Sequence, residues 1–284
     1  MKRWEIGVGT GGTRKKITEE VFDELGRLGF KHMEFALCHI AEYDDPDVKT
    51  TAITSHDVEK IKAAAARNGV NIWSLHIPFG HDYYDISCND RKKRVYAVEK
   101  YGEMIGYAAK LGAQVVVAHP SFEPIEESER SVRLENARDS LNSLAKVAKE
   151  CGVTLAVENL PRTCLGRDTK EMLYLLSADE SLRVCFDVNH LLRESHKDFV
   201  AAVGHKIATI HLSDYDFVDE RHWLLGTGKI DCGELISLLK GIGYQGPFMN
   251  EVRGSLETEI KEKYTFREIY ENSVALLDKY FDAV

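Results

Sequence analysis

Cysteines in this 284-residue chain are few and scattered. Cys38, Cys88, Cys151, Cys164, Cys185 and Cys232 include no Cys-x-x-Cys pair and no regular spacing. That pattern argues against a disulfide framework and predicts free thiols in a reducing compartment. An apolar leader is also missing, since "MKRWEIGVGT" passes directly into a strand-like segment, so no signal peptide is expected. No window holds enough consecutive apolar residues to span a bilayer. The expected location is cytoplasmic, with no membrane partner. Positive charge is in deficit: a formal net charge of −9 makes nucleic acid and anionic membranes poor partners unless a local patch overrides it. Nor does any Pro/Ser-rich linker, low-complexity tract or charge block divide the chain. One domain spanning 1–284 is expected, ample for a sizeable core. Self-association into a homo-oligomer is left open.

What the chain does have is regular alternation. The short apolar runs "WEIGVG", "HMEFAL", "NIWSLH", "QVVVAH", "TLAVE", "RVCFD", "IATIHL" and "PFMNE" read as strands. Between and after them, amphipathic periodicity predicts helices over Ile17–Leu28, Asp57–Arg67, Arg91–Leu111, Glu127–Cys151, Lys170–Leu176, His196–Val203, Cys232–Ile242 and Phe266–Phe281. Asp168 with Glu171, Ser195 with Asp198 and Asp231 with Glu234 have capping-box spacing. Gly29, Gly69, Gly112, Gly152 and Gly243 fall where left-handed C-caps belong. Eight strand–helix units in this length predict an α/β fold, a single (β/α)8 TIM barrel. A doubly wound sheet is the rival, but "GVGTGGT" lacks a full Gly-x-Gly-x-x-Gly opening a helix, and no acid stands at the ribose position.

In such a barrel chemistry gathers at the C-terminal ends of the strands. Glu34, His76, His119, Glu158, Asp187, His211 and Glu251 stand at or near those ends. Two residues behind them lie Ser74, Ala156, Cys185 and Thr209, small enough for a barrel interior, while Leu75, Val157, Phe186 and Ile210 should face the helices. One acid after one strand is a cap; acids or histidines at seven of eight strand ends need another explanation. Burying so many carboxylates costs several kcal/mol each without compensation, and a divalent cation removes that cost. Glu158, Asp187, His211 and Glu251, from strands five to eight, form a mixed oxygen and nitrogen set that suits Mn²⁺, Zn²⁺, Co²⁺ or Mg²⁺.

These residues resemble the xylose isomerase-like barrels, a superfamily of sugar isomerases and epimerases that also contains endonuclease IV-type repair enzymes. The resemblance runs through "HIPF", "AHP", "AVENLP", "CFDVNH", "IHLSD", "ERHWLLGTGKID" and "NEV". It implies a metal held by Glu158, Asp187, His211 and Glu251, with His190 of "CFDVNH" a motif histidine beside it. In the nuclease branch His76, His119, His190 and His222 would complete a multi-zinc cluster, with an Asp where this chain has Glu220. The loop "CHIAEYDDPD" is acidic and would repel a duplex, whereas only "TRKK" and "NDRKKR" are basic, so the sugar branch is favoured. It implies a sugar or polyol substrate, a metal-stabilised enediolate, and Glu158 and Glu251 as catalytic proton-transfer groups on either side of it. Zinc phosphodiesterase action on abasic DNA, inosose-type dehydration and turnover-free sugar binding are the alternatives. Ketose 3-epimerases of this kind carry a Glu and an Arg where this chain has Cys164 and Phe217, which leaves the sugar unassigned.

Other residues have plainer readings. His76, His119, His190 and His222 are candidates for substrate hydrogen bonds, and Trp223 for lining the pocket. Trp4 and Trp73 read as strand residues in the core. His32, His39, His56, His81, His196 and His205 read as surface or packing histidines. Arg162 could meet a substrate anion or solvent, and "GTGKI" could cradle an anion or simply turn into the Asp231-capped helix.

Overall fold

The computed structural model describes residues 2–10, 19–36, 55–79, 84–252 and 264–281. The segments "TRKK" and "CHIAEYDDPD", with His39 and His81, lie outside the described residues, as does the His56 side chain. In chain order the elements are β1 (Ile6–Gly9), α1 (Glu19–Leu28), β2 (His32–Ala36), α2 (Ser55–Arg67), β3 (Asn71–His76), α3 (Arg91–Leu111), β4 (Val115–Ala118) and α4 (Arg130–Cys151). The second half continues with β5 (Thr154–Glu158), α5 (Thr169–Leu176), β6 (Arg183–Asp187), α6 (His196–Val203), β7 (Ile207–His211), α7 (Cys232–Gly241), β8 (Phe248–Asn250) and α8 (Phe266–Tyr280).

The strands pair parallel in the order β7-β6-β5-β4-β3-β2-β1-β8. Between β7 and β8 the sheet is joined just past β7: the Leu212 N–H donates to the Met249 carbonyl at 2.9 Å, and the Glu251 N–H to the Leu212 carbonyl at 3.0 Å. The result is a nearly closed (β/α)8 barrel. β1 sits between β2 and β8, so the open doubly wound sheet is excluded.

The period of two separates the faces of each strand. Leu75, Val157, Phe186 and Ile210 are wholly buried in the shell between sheet and helices. Val115, Val117, Ala156 and Cys185 form a distinct inner cluster with Trp73 against it. Trp73 donates from Nε1 to Thr209 Oγ1 at 3.3 Å, which satisfies its one polar atom in that interior. Trp4 precedes β1 rather than standing in it, and is packed among Tyr244, Phe248 and Phe281. The helices bury stripes at helical spacing, as α3 does with Ala97, Tyr101, Met104, Ile105, Ala108 and Leu111. Each fully buried Leu, Ile or Phe contributes about 1.5–3 kcal/mol.

Local signals set the boundaries. The Asp168, Ser195 and Asp231 side chains accept from the N–H groups of Glu171, Asp198 and Glu234. The C-cap glycines at 29, 69, 112, 152 and 243 all have positive φ. The helix expected from Ile17 begins, within the described residues, at Glu19, and that expected from Glu127 begins at Arg130. A full capping box between Thr265 and Glu268 starts α8. The five described cysteines are free. No helix among the described residues is long and apolar enough to cross a membrane.

Candidate metal and substrate centre

The ends of β2, β3, β5, β6 and β7 and the residues just past β4, β6, β7 and β8 converge on one cluster. Five carboxylates, Glu34, Glu158, Asp187, Glu220 and Glu251, interleave there with five imidazoles, His76, His119, His190, His211 and His222. Glu158 is central. Its Oε2 accepts from His76 Nε2 and lies beside His119 Nε2, each at 3.1 Å, while its Oε1 faces His211 Nδ1 at 3.3 Å and His190 Nδ1 at 3.4 Å. His211 Nδ1 also lies 3.2 Å from Glu251 Oε2 and 3.8 Å from Asp187 Oδ2.

Glu34 is the member that sequence reasoning left at a strand end without a role. A register shift between Met33 and Glu34 accompanies its placement inside the barrel, where it accepts from Ser74 Oγ at 2.7 Å and faces His211 Nε2 at 3.0 Å. With Nε2–H committed to Glu34, His211 presents Nδ1 to Glu158, Asp187 and Glu251. A carboxylate behind a histidine in this way fixes the tautomer offered to a cation.

The charges are mutually supported. Burial pushes Glu158 up, yet His211 and His119 outweigh it and hold the carboxyl well below its usual range. Burial likewise opposes ionisation of Glu251, and His211 and His222 reverse it. Burial works against the imidazolium of His76, but its bond to Glu158 and the charges of Glu158 and Glu34 raise it to about 9. His190, equally buried, is raised to about 10 by Asp187 and Glu220. His119 is the exception, held down by burial. Asp187 is pushed up to about 7, chiefly by burial.

A cation would fit here. Glu158, Asp187, His211 and Glu251 each offer a ligand atom, and these atoms lie within 4.8 Å of one another. An ion with ligands at about 2.0–2.3 Å needs them roughly 3–4.5 Å apart. Asp187 Oδ2 and Glu251 Oε2 are buried oxygens without a hydrogen-bond partner, the kind of vacancy that a positive ion satisfies. Four further groups share these members: Glu34, His76, His211 and Glu251; His76, His119 and Glu158; Glu158, Cys185 and His211; and Asp187, His190 and His222.

The remaining expectations resolve individually. His190 donates from Nδ1 to the Asn159 carbonyl at 2.9 Å, with Nε2 3.1 Å from Glu220 Oε2. Asp187 both caps the short 3-10 turn that follows it, accepting from the Asn189 N–H at 2.7 Å, and turns its other oxygen to the cluster. His222 Nδ1 donates to the Glu251 carbonyl at 3.2 Å. Trp223 is half-buried, pairs its backbone with Asp214, and lies under the Arg221 guanidinium. Phe79, 56% exposed, stacks on His119 with ring centres 4.3 Å apart.

Arg162 is taken up by Glu123, Asp219 and Glu220. The "GTGKI" turn does cradle an anion, but one supplied by the chain. The Asp214 carboxylate accepts from the N–H groups of Tyr215, Gly226 and Ile230, and a Cβ at Gly228 would meet it at 2.3 Å. His32 pairs with Glu5 and His196 packs against Phe186, Tyr215 and Phe217, which fits their packing role. Cys164 is buried and Phe217 packs on Tyr215.

A parallel eight-stranded barrel carries at its C-terminal mouth a cluster of acids and imidazoles that could hold a metal ion. The chain belongs to the xylose isomerase-like TIM barrel family, whose model matches residues 22–277. It is 29% identical over 206 residues to an uncharacterised protein of Methanocaldococcus jannaschii, covering 69% of each. It is 26% identical over 208 residues to an inosose isomerase of Bacillus licheniformis, covering 68% of this chain and 73% of that one. A solved D-tagatose 3-epimerase-like protein superposes with a TM-score of 0.79 over 98% of this chain and 97% of that one, at 21% identity, a likeness of fold. The relatives whose names state an activity include sugar epimerases and isomerases.

Proposed function

We propose that the protein is a divalent-metal-dependent isomerase or epimerase of a sugar or sugar-like polyol ketone, working in the cytoplasm as one domain. The observation that carries this reading is the convergence of Glu158, Asp187, His211 and Glu251, with two buried oxygens lacking hydrogen-bond partners. Mn²⁺, Zn²⁺, Co²⁺ or Mg²⁺ held there would draw electron density from adjacent substrate oxygens and offset the charge left when a carbon-bound proton departs.

The two glutamates are not equivalent. Glu251 is ionised and the more accessible of the two, its side chain 20% exposed against 1% for Glu158, so it takes the carbon-bound proton. Glu158 has both oxygens facing imidazoles and is the weaker base. It delivers a proton to the opposite face, with His76 as the source behind it. His190, His222 and His119 line the place of the substrate, and Trp223 gives it a flat apolar wall. Delivery to the same carbon gives an epimer, and delivery to the neighbouring carbon an aldose–ketose isomer.

A screen of ketoses, aldoses and inosose-type polyols in D₂O with added Mn²⁺, read by NMR, tests this. Deuterium entering one substrate at carbon is the expected result. A product that keeps its original hydrogen removes Glu158 and Glu251 from proton transfer, and no turnover of any sugar removes the activity.

A second reading has an observation of its own. The groups His76–His119–Glu158 and Asp187–His190–His222 could hold additional ions, as a zinc phosphodiesterase acting on abasic DNA would require. Two or three zinc ions per chain together with nicking of abasic duplex would establish it, and the acidic balance of the chain weighs against it.

A further inference from the structure

Three non-glycine residues among those described have positive φ: Arg162 at 51°, Phe217 at 62° and His222 at 51°. Each such residue costs about 1 kcal/mol or more, so the surroundings must impose it. All three belong to the loops after β5 and β7, and those loops meet at one guanidinium. Arg162 donates from Nε and Nη2 to Glu123 Oε1 at 3.1 and 2.9 Å, from Nη1 to Asp219 Oδ1 at 2.8 Å, and from Nη2 to Glu220 Oε1 at 2.9 Å. Glu123 lies after β4, so one planar fork joins three loops.

The connection continues inward. The other oxygen of Glu220 is 3.1 Å from His190 Nε2 and 3.9 Å from His222 Nε2. Asn189, beside His190, accepts from the N–H groups of Arg221 and His222 through one side-chain oxygen. Without Arg162, the three acids Glu123, Asp219 and Glu220 would repel one another, and the β7 loop would keep its ties to Asn189 and His190 but lose those to the loops after β4 and β5. With it, Glu220 is held and His190 has both ring nitrogens engaged, Nδ1 by the Asn159 carbonyl and Nε2 by Glu220.

We propose that Arg162 is a positioning residue: it clamps the loops after β4, β5 and β7, fixes Glu220, and through Glu220 sets the orientation of His190 toward the reacting substrate. Its catalytic consequence rests on the reading of His190 as a substrate contact; the clamp itself does not. Lysine cannot replace it, since a single ammonium lacks the fork that reaches Glu123 and Glu220 together.

The test has two arms. In histidine-¹⁵N-labelled protein, assigned with His190→Asn, the His190 Nε2–H should appear as a downfield, slowly exchanging proton. Arg162→Ala should remove it, Glu220→Gln should shift it, and added guanidinium should restore it in Arg162→Ala. On whichever sugar is turned over, Arg162→Ala should lower kcat by about 10–100-fold with KM and metal content nearly unchanged, and guanidinium should recover part of that loss. Should Arg162→Ala fail to fold, Arg162→Lys, which keeps the charge, should show the same lost resonance with a normal melting transition. A His190 resonance unchanged in both variants overturns the clamp, and a kcat equal to wild type overturns its catalytic consequence. If no sugar is turned over, the resonance alone decides, so the clamp and the sugar reading fail separately.

Discussion

Two layers of the barrel interior, two residues apart along the same strands, have opposite chemistry. Val117, Ala156 and Cys185 belong to an apolar inner cluster. One layer up, Glu158, Asp187 and His211 stand among ten ionisable side chains. Both layers are almost fully buried. The fold places side chains indifferently in either; what separates the layers is whether each charge finds a partner. In the upper one nearly every carboxylate faces an imidazole, and the oxygens left over point to a common centre. Burial alone therefore does not make a core.

The sharpest way to break this comparison is to put a charge in the wrong layer. Val117→Asp leaves an unpaired carboxylate among Val115, Ala156 and Cys185 and should cost at least about 4 kcal/mol, abolishing a cooperative thermal transition. A variant that melts as wild type would mean that the lower layer admits water. Next in size is His211→Asn, which removes a nitrogen from the proposed ligand set and should weaken Mn²⁺ binding by about 100-fold in calorimetry. His190→Asn should retain the metal and lose turnover instead. Metal lost equally from both variants would erase the distinction between holding the ion and touching the substrate.

Acidity should sharpen the comparison further. The metal-free upper layer relies on imidazolium, with His76 raised to about 9 and His190 to about 10 from 6.5. A raised histidine contributes all its stability below about 6.5 and loses it as pH climbs toward its folded value. Asp187, raised to about 7 from 3.8, acts with the same sign between those values. Metal-free protein should thus melt at lower temperature at pH 9 than at pH 6. A cation must displace the proton on His211 Nδ1, so Mn²⁺ affinity should rise by about tenfold per pH unit from pH 6 to 8. Flat profiles for both quantities would show that the imidazoles are neutral. The smallest expected effect is that of Glu34→Gln, which keeps the shape but loosens the tautomer of His211. Mn²⁺ binding should weaken by about tenfold, with the fold unaltered in its melting curve.

The barrel was legible because strand ends such as "TLAVE" and "RVCFD" coincide with β5 and β6, and because the helix caps are local signals. The upper layer was legible for the same reason: strand period and strand end are enough to bring Glu158, Asp187 and His211 together. Glu34 escaped because its inward placement goes with a register shift that no local pattern encodes. Arg162 escaped because its partners lie 39 to 58 residues away, and an arginine after a proline reads as solvated until they are known. Asp214, spelled like any loop acid, fills the turn of "GTGKI" through three backbone N–H groups that fold back from 1 to 16 residues onward.

The junction between β7 and β8 carries a mechanical consequence. Eight strands run in unbroken pairing from β7 round to β8, and among the described residues the two end strands meet through the bridge of Leu212 and Asn250. Glu158, Asp187 and His211 stand on one side of that seam and Glu251 on the other. An ion gripped by all four would act as a clasp across the weakest hoop joint, turning a curled ribbon into a ring. Loading the centre would then stiffen the staves farthest apart in the ribbon, and emptying it would let the cylinder spring beside the cluster itself.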